Sequence, residues 1–198
     1  MLSLPDIELL FARRGASQYS GEPVTQLEHA LQTAHLAEQS DADDALVTAC
    51  LLHDLGHLLN DQGRGFNDTP SLRGIDDTHQ YFALPFLRGL LPDAVLAPIK
   101  LHVDAKRYLC CVNAGYFARL SDDSKRSLAL QGGLFTEVQA AAFMTQSGAR
   151  EAVLLRQWDD LAKQDGLATP SLAHFLARAA RCVLSKTQPR PDAPQRSA

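Results

Sequence analysis

Aromatic residues are scarce in this chain of 198 residues, at 7%, and no stretch alternates polar and apolar residues with the period of a half-buried strand. Together these gaps exclude a β-sandwich or barrel. No apolar run approaches the roughly 20 residues of a membrane span, and the N-terminus MLSLPDIELLFARRG lacks the apolar segment of a signal peptide. Charge of one sign is not in excess either. A net charge of -4 and a pI near 5.9 give no electrostatic reason to bind nucleic acid or an anionic membrane, so no partner of either kind is expected. The four cysteines, Cys50, Cys110, Cys111 and Cys182, show no CxxC spacing, and an adjacent pair makes a poor disulfide framework. Reduced thiols in a cytoplasmic protein are the expectation. No internal repeat is present.

What is abundant is Ala and Leu at helical spacing. Leu4, Ile7, Leu10 and Phe11 predict a helix over 3–14, and Leu27, Ala30, Leu31 and Ala34 a second over 25–39. Asp43 caps a third, predicted over 44–59. After a loop rich in Gly, Asp and Asn over 60–77, helices are predicted at about 78–90, 93–102, 105–111, 113–118, 122–131, 136–144, 149–164 and 171–186. A polar tail follows, TQPRPDAPQRSA. Expected is an all-α helical bundle, a single domain over 1–186, with 187–198 disordered.

The segment ACLLHDLGHLL is apolar except for His53, Asp54 and His57. Burying such groups is costly unless they are paired or bind a metal. One buried His is more often a hydrogen-bonded core residue. A His-Asp dyad with further histidines at His29, His79 and His102 points instead to a metal site. Imidazoles and carboxylates without thiolates suit iron, manganese or zinc rather than a structural zinc site. One Asp can bridge two cations, so two histidine sets around Asp54 predict a dinuclear centre. His53 and Asp54 are neighbours about 100° apart on a helix, so the other ligands must come from other helices. His35 and His174 fit no part of the pattern, and Trp158 and Tyr108 read as core residues.

The pattern His29 … His53-Asp54 … Asp159 resembles the metal motif of HD-domain proteins. The segments QYSGEPVTQLEHALQTA, LLHDLGH, HVDAKRYL, LSDDSKRSLALQGG and LRQWDDLAKQ are more specifically similar to the HD-domain oxygenases that cleave the C–P bond of 1-hydroxy-2-aminoethylphosphonates. That resemblance covers about Tyr19 to Lys163. It implies a mixed-valent Fe(II)/Fe(III) pair, O2 as co-substrate and a small-molecule phosphonate substrate. His29, His53, Asp54 and Asp159 would hold one iron, with Asp54 bridging to a second that also takes His79 and His102. Tyr19 matches a tyrosine that can occupy an iron position until substrate displaces it, which with Asp54 makes it a candidate catalytic residue. Glu22 matches a residue near the substrate amine, on a lid-like loop with Tyr19. His57, Lys106, Ser121 and Arg156 match residues around the phosphonate.

The implied products are phosphate with glycine, or with glycine betaine from the trimethylated substrate. Asp76 and Asp77, just before His79, could place a carboxylate near the substrate cation, methylated or not; the acidic 60–78 loop, where the sequence departs most from the aminoethyl relatives, favours the trimethylated one. Lys106 lies one helical turn past His102, and Arg156 one turn before Asp159, so both could serve a phosphonate; otherwise they are surface charges. Glu22 could instead cap the helix from Thr25, and Tyr19 could simply pack. The alternative activity is a metal-dependent phosphohydrolase acting on a nucleotide or phosphate monoester, and a third reading is a silent module sensing a phosphorylated ligand.

Overall fold

The computed structural model describes residues 1–19, 21–60 and 69–185. Among them, regular structure is helical, and β pairing is confined to the isolated bridges Gln18–Thr25 and Arg88–Leu91. The expected tail, the central part of the 60–77 loop and Ser20 lie outside the described residues.

The first helix, α1 (Leu4–Arg14), opens on a capping box between Ser3 and Asp6 and buries Ile7 and Phe11. Helix α2 (Gln26–Gln39) begins with a second box, in which Thr25 is paired with Glu28. Glu28, not Glu22, is therefore its capping acid. Helix α3 (Asp44–Leu52) is capped by Asp43, and every residue from Leu46 to Leu52 is buried. A helix apolar on all sides belongs at the centre of a bundle. Accordingly α3 packs on α2, on α7 (Asp93–Val112), on α11 (Ala149–Leu161) and on α12 (Leu172–Cys182). The main core gathers α1, α3, the short α4 (Leu55–Leu59) and α6 (Leu84–Leu87), and α12. Two smaller clusters flank α7 beside α8 (Tyr116–Arg119), α9 (Asp122–Leu130), α10 (Glu137–Met144) and α11.

Two departures from the expected helices matter for the site. The helix predicted over 44–59 breaks at His53-Asp54, where Asp54 adopts φ -101°, ψ 12° and caps nothing with its side chain. A continuous helix would point the two side chains about 100° apart; the break turns both inward. The stretches predicted as 93–102 and 105–111 instead form the single helix α7, with Pro98 inside it. Nothing between His102 and Ala105 interrupts helical hydrogen bonding, so Lys106 stays one turn from His102.

Helix α4 crosses α5 (His79–Phe82) at Gly56. A Cβ there would lie 2.1 Å from the His79 carbonyl oxygen and 2.9 Å from its Cα. Backbone cannot yield as a side chain can, so Gly56→Ala is expected to cost about 3 kcal/mol and to lower the melting temperature by roughly 6 °C or more. Thermal unfolding checks this; a variant melting within a degree of wild type would show that the helices do not cross so closely.

Candidate metal centre and anion cavity

Six ionisable side chains from five parts of the chain meet in the interior. Helix α2 supplies His29, the α3–α4 break supplies His53 and Asp54, and α5 supplies His79. Helix α7 supplies His102 and α11 supplies Asp159. His29 and His53 are fully buried, and none of the six is more than 9% exposed. They form two trios, His29–His53–Asp159 and Asp54–His79–His102. The two oxygens of Asp54 face different trios. Oδ2 lies 3.6 Å from His29 Nε2 and 3.4 Å from His53 Nε2, while Oδ1 lies 3.3 Å from His79 Nε2 and 3.6 Å from His102 Nε2.

The hydrogen bonds of the other ring nitrogens show what this arrangement accepts. Nδ1 of His29, His53 and His102 each lies within 2.8 Å of a backbone carbonyl, that of Ala162, Cys50 and Ile99 respectively. A carbonyl only accepts, so these Nδ1 atoms carry the hydrogens and the Nε2 atoms turn inward. His29 Nε2 then sits 3.2 Å from His53 Nε2, and His79 Nε2 3.0 Å from His102 Nε2. Two lone pairs at that distance repel unless a cation stands between them. Asp159 Oδ1, 3.3 Å from His29 Nε2, is buried with no hydrogen-bond partner. An orphaned carboxylate oxygen among inward imidazoles, without thiolates, fits a pair of borderline transition-metal ions. Burial keeps His102 in the neutral form a metal requires. Burial opposes the ionised form of Asp54, but the His53 and His57 charges hold its carboxyl well below the usual range.

Asp77, two residues before His79, organises the second trio. Its Oδ1 accepts from His79 Nδ1 at 2.8 Å and its Oδ2 from His57 Nδ1 at 2.8 Å. The two imidazoles stack with centroids 4.1 Å apart. Thr78, between Asp77 and His79, has φ 47°, a left-handed conformation that β-branched residues rarely adopt; it turns both neighbours toward one centre. Removing this outer carboxylate in Asp77→Ala is expected to weaken binding at the His79 side by about 10–100-fold while leaving the His29 side loaded. Metal content after graded chelation distinguishes the two positions.

A cavity opens onto the trios, with about 60 Å³ accessible to water, room for roughly five molecules. Tyr19, His57, Lys106 and Arg156 all line it. The Tyr19 ring stacks on His29 with centroids 3.8 Å apart. Burial, then the Asp54 and Asp159 charges, push that phenol well above its ordinary pKa.

Lys106 and Arg156 are buried rather than surface charges, at 2% and 5% exposure, but their situations differ. Arg156 pairs with Asp159 at 2.7 Å and also with Asp160, and its Nε donates to the Tyr116 hydroxyl. Lys106 donates to Ser127 Oγ at 2.8 Å and has no carboxylate within ion-pair distance among the described residues. Burial, then the neighbouring Arg156, lower its pKa to about 7. Glu22 and Ser121 do not reach the cavity wall. Glu22 binds Lys163 Nζ at 2.9 Å, and Ser121 caps α9 and accepts from the same ammonium at 3.3 Å. Asp77, expected with Asp76 to offer a carboxylate near a substrate cation, instead has both oxygens engaged by His79 and His57; Asp160 and Lys163 went unassigned by sequence reasoning, because their roles come from contacts between distant segments. His174 pairs with Glu38 at the surface, Trp158 packs against the main core, and all four cysteines are unpaired. No helix among the described residues is long and apolar enough to cross a membrane.

A helical bundle that breaks at a buried His-Asp dyad, with the Asp shared between two histidine–carboxylate trios, defines a class of metal-binding α proteins. The chain belongs to the HD-domain family, whose sequence model matches residues 27–126. It is 45% identical to a hydroxymethylphosphonate dioxygenase of Gimesia maris, over 88% of this chain and 85% of that relative. It is 35% identical to the glycine-betaine-forming [1-hydroxy-2-(trimethylamino)ethyl]phosphonate dioxygenase of Leisingera caerulea, over 88% of this chain and 87% of that one.

Proposed function

We propose that this chain is a di-iron oxygenase that uses O2 to cleave the C–P bond of a 1-hydroxyphosphonate. The observation that carries the reading is Asp54 lying between two histidine pairs at the floor of a cavity lined by Lys106, a buried cation with no carboxylate within ion-pair distance among the described residues. The names of both relatives support it, since each acts on a phosphonate hydroxylated at the carbon bonded to phosphorus. Two bound irons, Fe(II) and Fe(III), would supply the redox chemistry with O2. The aminoethyl substrates expected from the sequence, giving glycine or glycine betaine, and hydroxymethylphosphonate, giving formate, all share this reacting group. Atom balance sends one oxygen atom of O2 to the carboxylate product and the other to phosphate.

The chain's own residues would supply recognition and exclusion of water. Lys106 donates to the phosphonate oxygens as a compact ammonium. Arg156, already engaged with Asp159 and Asp160, holds Asp159 in register and lends the cavity positive potential. Tyr19 covers the His29 trio and leaves when the substrate hydroxyl arrives, and His57, fixed by Asp77, lines the phosphonate side. The unpaired cysteines suit the reducing cytoplasm expected from the sequence.

The test is anaerobic purification with iron analysis, followed by parallel measurement of oxygen uptake and phosphate release on the three 1-hydroxyphosphonates. Equal molar O2 consumed and phosphate released is expected. Phosphate release from monoesters without oxygen, supported by redox-inert cations, would overturn the reading in favour of hydrolysis.

A further inference from the structure

Resting on the 1-hydroxyphosphonate reading above, we infer that Gln131 is a further substrate-binding residue, whose side-chain amide donates to a phosphonate oxygen beside Lys106.

Helix α9 and its C-cap line the cavity with three polar side chains, Ser124, Ser127 and Gln131, spaced three and four residues apart and so on one face. The first two are matched to the buried cations. Arg156 Nη2 donates to Ser124 Oγ at 3.5 Å, and Lys106 Nζ to Ser127 Oγ at 2.8 Å. The third is not matched: Gln131 Oε1 is buried and has no hydrogen-bond partner among the described residues. Such an amide, at the cavity wall one turn beyond the serine that receives Lys106, is desolvated without return until a ligand supplies the partner.

The fold fixes where this amide sits. Gln131 closes α9, its backbone N–H donating to the Ser127 carbonyl at 2.9 Å. Gly132 and Gly133 follow with φ 94° and 69°, left-handed backbone that glycine adopts without strain. Arg107 clamps both, its Nη2 donating to the Gly132 carbonyl at 3.2 Å and its Nε to the Gly133 carbonyl at 2.9 Å. Arg107 directly follows Lys106 on α7. One stretch of that helix therefore holds both the cation and the end of α9 that carries the amide.

The chemistry of the cavity selects the group that completes it. A phosphonate dianion presents oxygens that only accept, and Lys106 is a single point charge with one donor hydrogen already given to Ser127. A half-turn of the Gln131 amide exchanges its oxygen for its NH2 group, which brings a directed neutral donor to a phosphonate oxygen. The acids on the same wall cannot do this. Asp123 accepts from Thr69, Ser71 and Arg126, and both oxygens of Asp77 accept from histidines. Because the phosphonate is common to all three candidate substrates, the role of Gln131 is independent of the arm each one carries.

The experiment titrates the iron-loaded full chain and its variants Gln131→Met and Gln131→Glu with hydroxymethylphosphonate by calorimetry without oxygen, then measures turnover in its presence. Gln131→Met is expected to weaken binding by about tenfold and to raise KM by a similar factor, with kcat within about twofold of wild type. Its melting temperature without ligand should be no lower than that of wild type, since the lost amide had no partner there. Gln131→Glu keeps the shape but sets a carboxylate against the phosphonate, and should weaken binding by about a hundredfold.

Unchanged affinity in Gln131→Met overturns the inference, and so does a loss of affinity joined to a melting temperature several degrees lower, as a structural pin would give. Tighter binding of (R)-1-hydroxy-2-aminoethylphosphonate by Gln131→Glu would place the amide at the substrate arm and overturn it as well. If wild type consumes no oxygen with any 1-hydroxyphosphonate, the oxygenase reading fails, yet the titration without oxygen still decides the role of Gln131.

Discussion

Asp54→Ala is expected to empty both metal positions and to abolish phosphate release, by about a thousandfold or more. The expectation follows from how Asp54 is shared. Every other candidate ligand belongs to one trio, whereas each Asp54 oxygen lies within 3.6 Å of two imidazole nitrogens of a different trio. Removing it takes one donor from each ion, together with the negative charge that allows two cations to lie a few ångströms apart. His102→Ala should behave differently. It removes a donor from the second trio only, so the His29–His53–Asp159 side should keep its ion, and iron should fall toward one per chain. Iron quantified per chain after gel filtration separates the variants. Two ions retained in Asp54→Ala would show that the carboxylate does not bridge.

How much of this was legible in the sequence depended on whether a residue's role is local. The Asp43 cap of α3 and the one-turn spacing of Arg156 and Asp159 on α11 obey local rules, and the all-α architecture follows from periodicity alone. The six residues of the two trios were readable because histidines and aspartates are conspicuous inside apolar segments. The break at His53-Asp54 was not, since the flanking Leu52 and Leu55 continue the helical pattern without interruption. Only the gathering of four other elements around Asp54 explains why the helix ends there. Asp77 and Lys163 were hidden for a related reason. One lies in an acidic loop and the other at a helix end, where solvated charges are common, and their partners are set by the fold.

Arg156 and Lys106 looked equivalent in the sequence, as cations one turn from a ligand, but the fold separates them. Arg156 is a structural cation whose charge is spent on Asp159 and Asp160. Removing it would leave two largely buried carboxylates uncompensated, so loss of activity in such a variant cannot be told from loss of structure. Lys106 has no such duty and is the sharper probe of the anion site.

Lys106→Met is accordingly expected to stabilise the metal-free protein while lowering kcat/KM for the phosphonate by about a hundredfold. The unfolded chain holds a lysine proton up to a pH of about 10.4, whereas burial and Arg156 bring the folded value down to about 7. Between those values the unfolded state binds more protons, so the destabilising contribution of Lys106 is full below about pH 7 and fades as pH rises toward 10. Methionine fills much of the same space without a charge to desolvate. A gain of about 1–3 kcal/mol at pH 7, or roughly 2–10 °C in melting temperature, should therefore shrink steadily toward pH 10. Thermal unfolding across that range, paired with phosphate-release kinetics, gives both halves of the result. A variant that loses activity without gaining stability would mean that Lys106 is already neutralised by a partner in the folded protein. One that gains stability and keeps its activity would mean that the phosphonate is held elsewhere. The opposite signs expected for stability and activity are what mark a buried cation kept for its ligand.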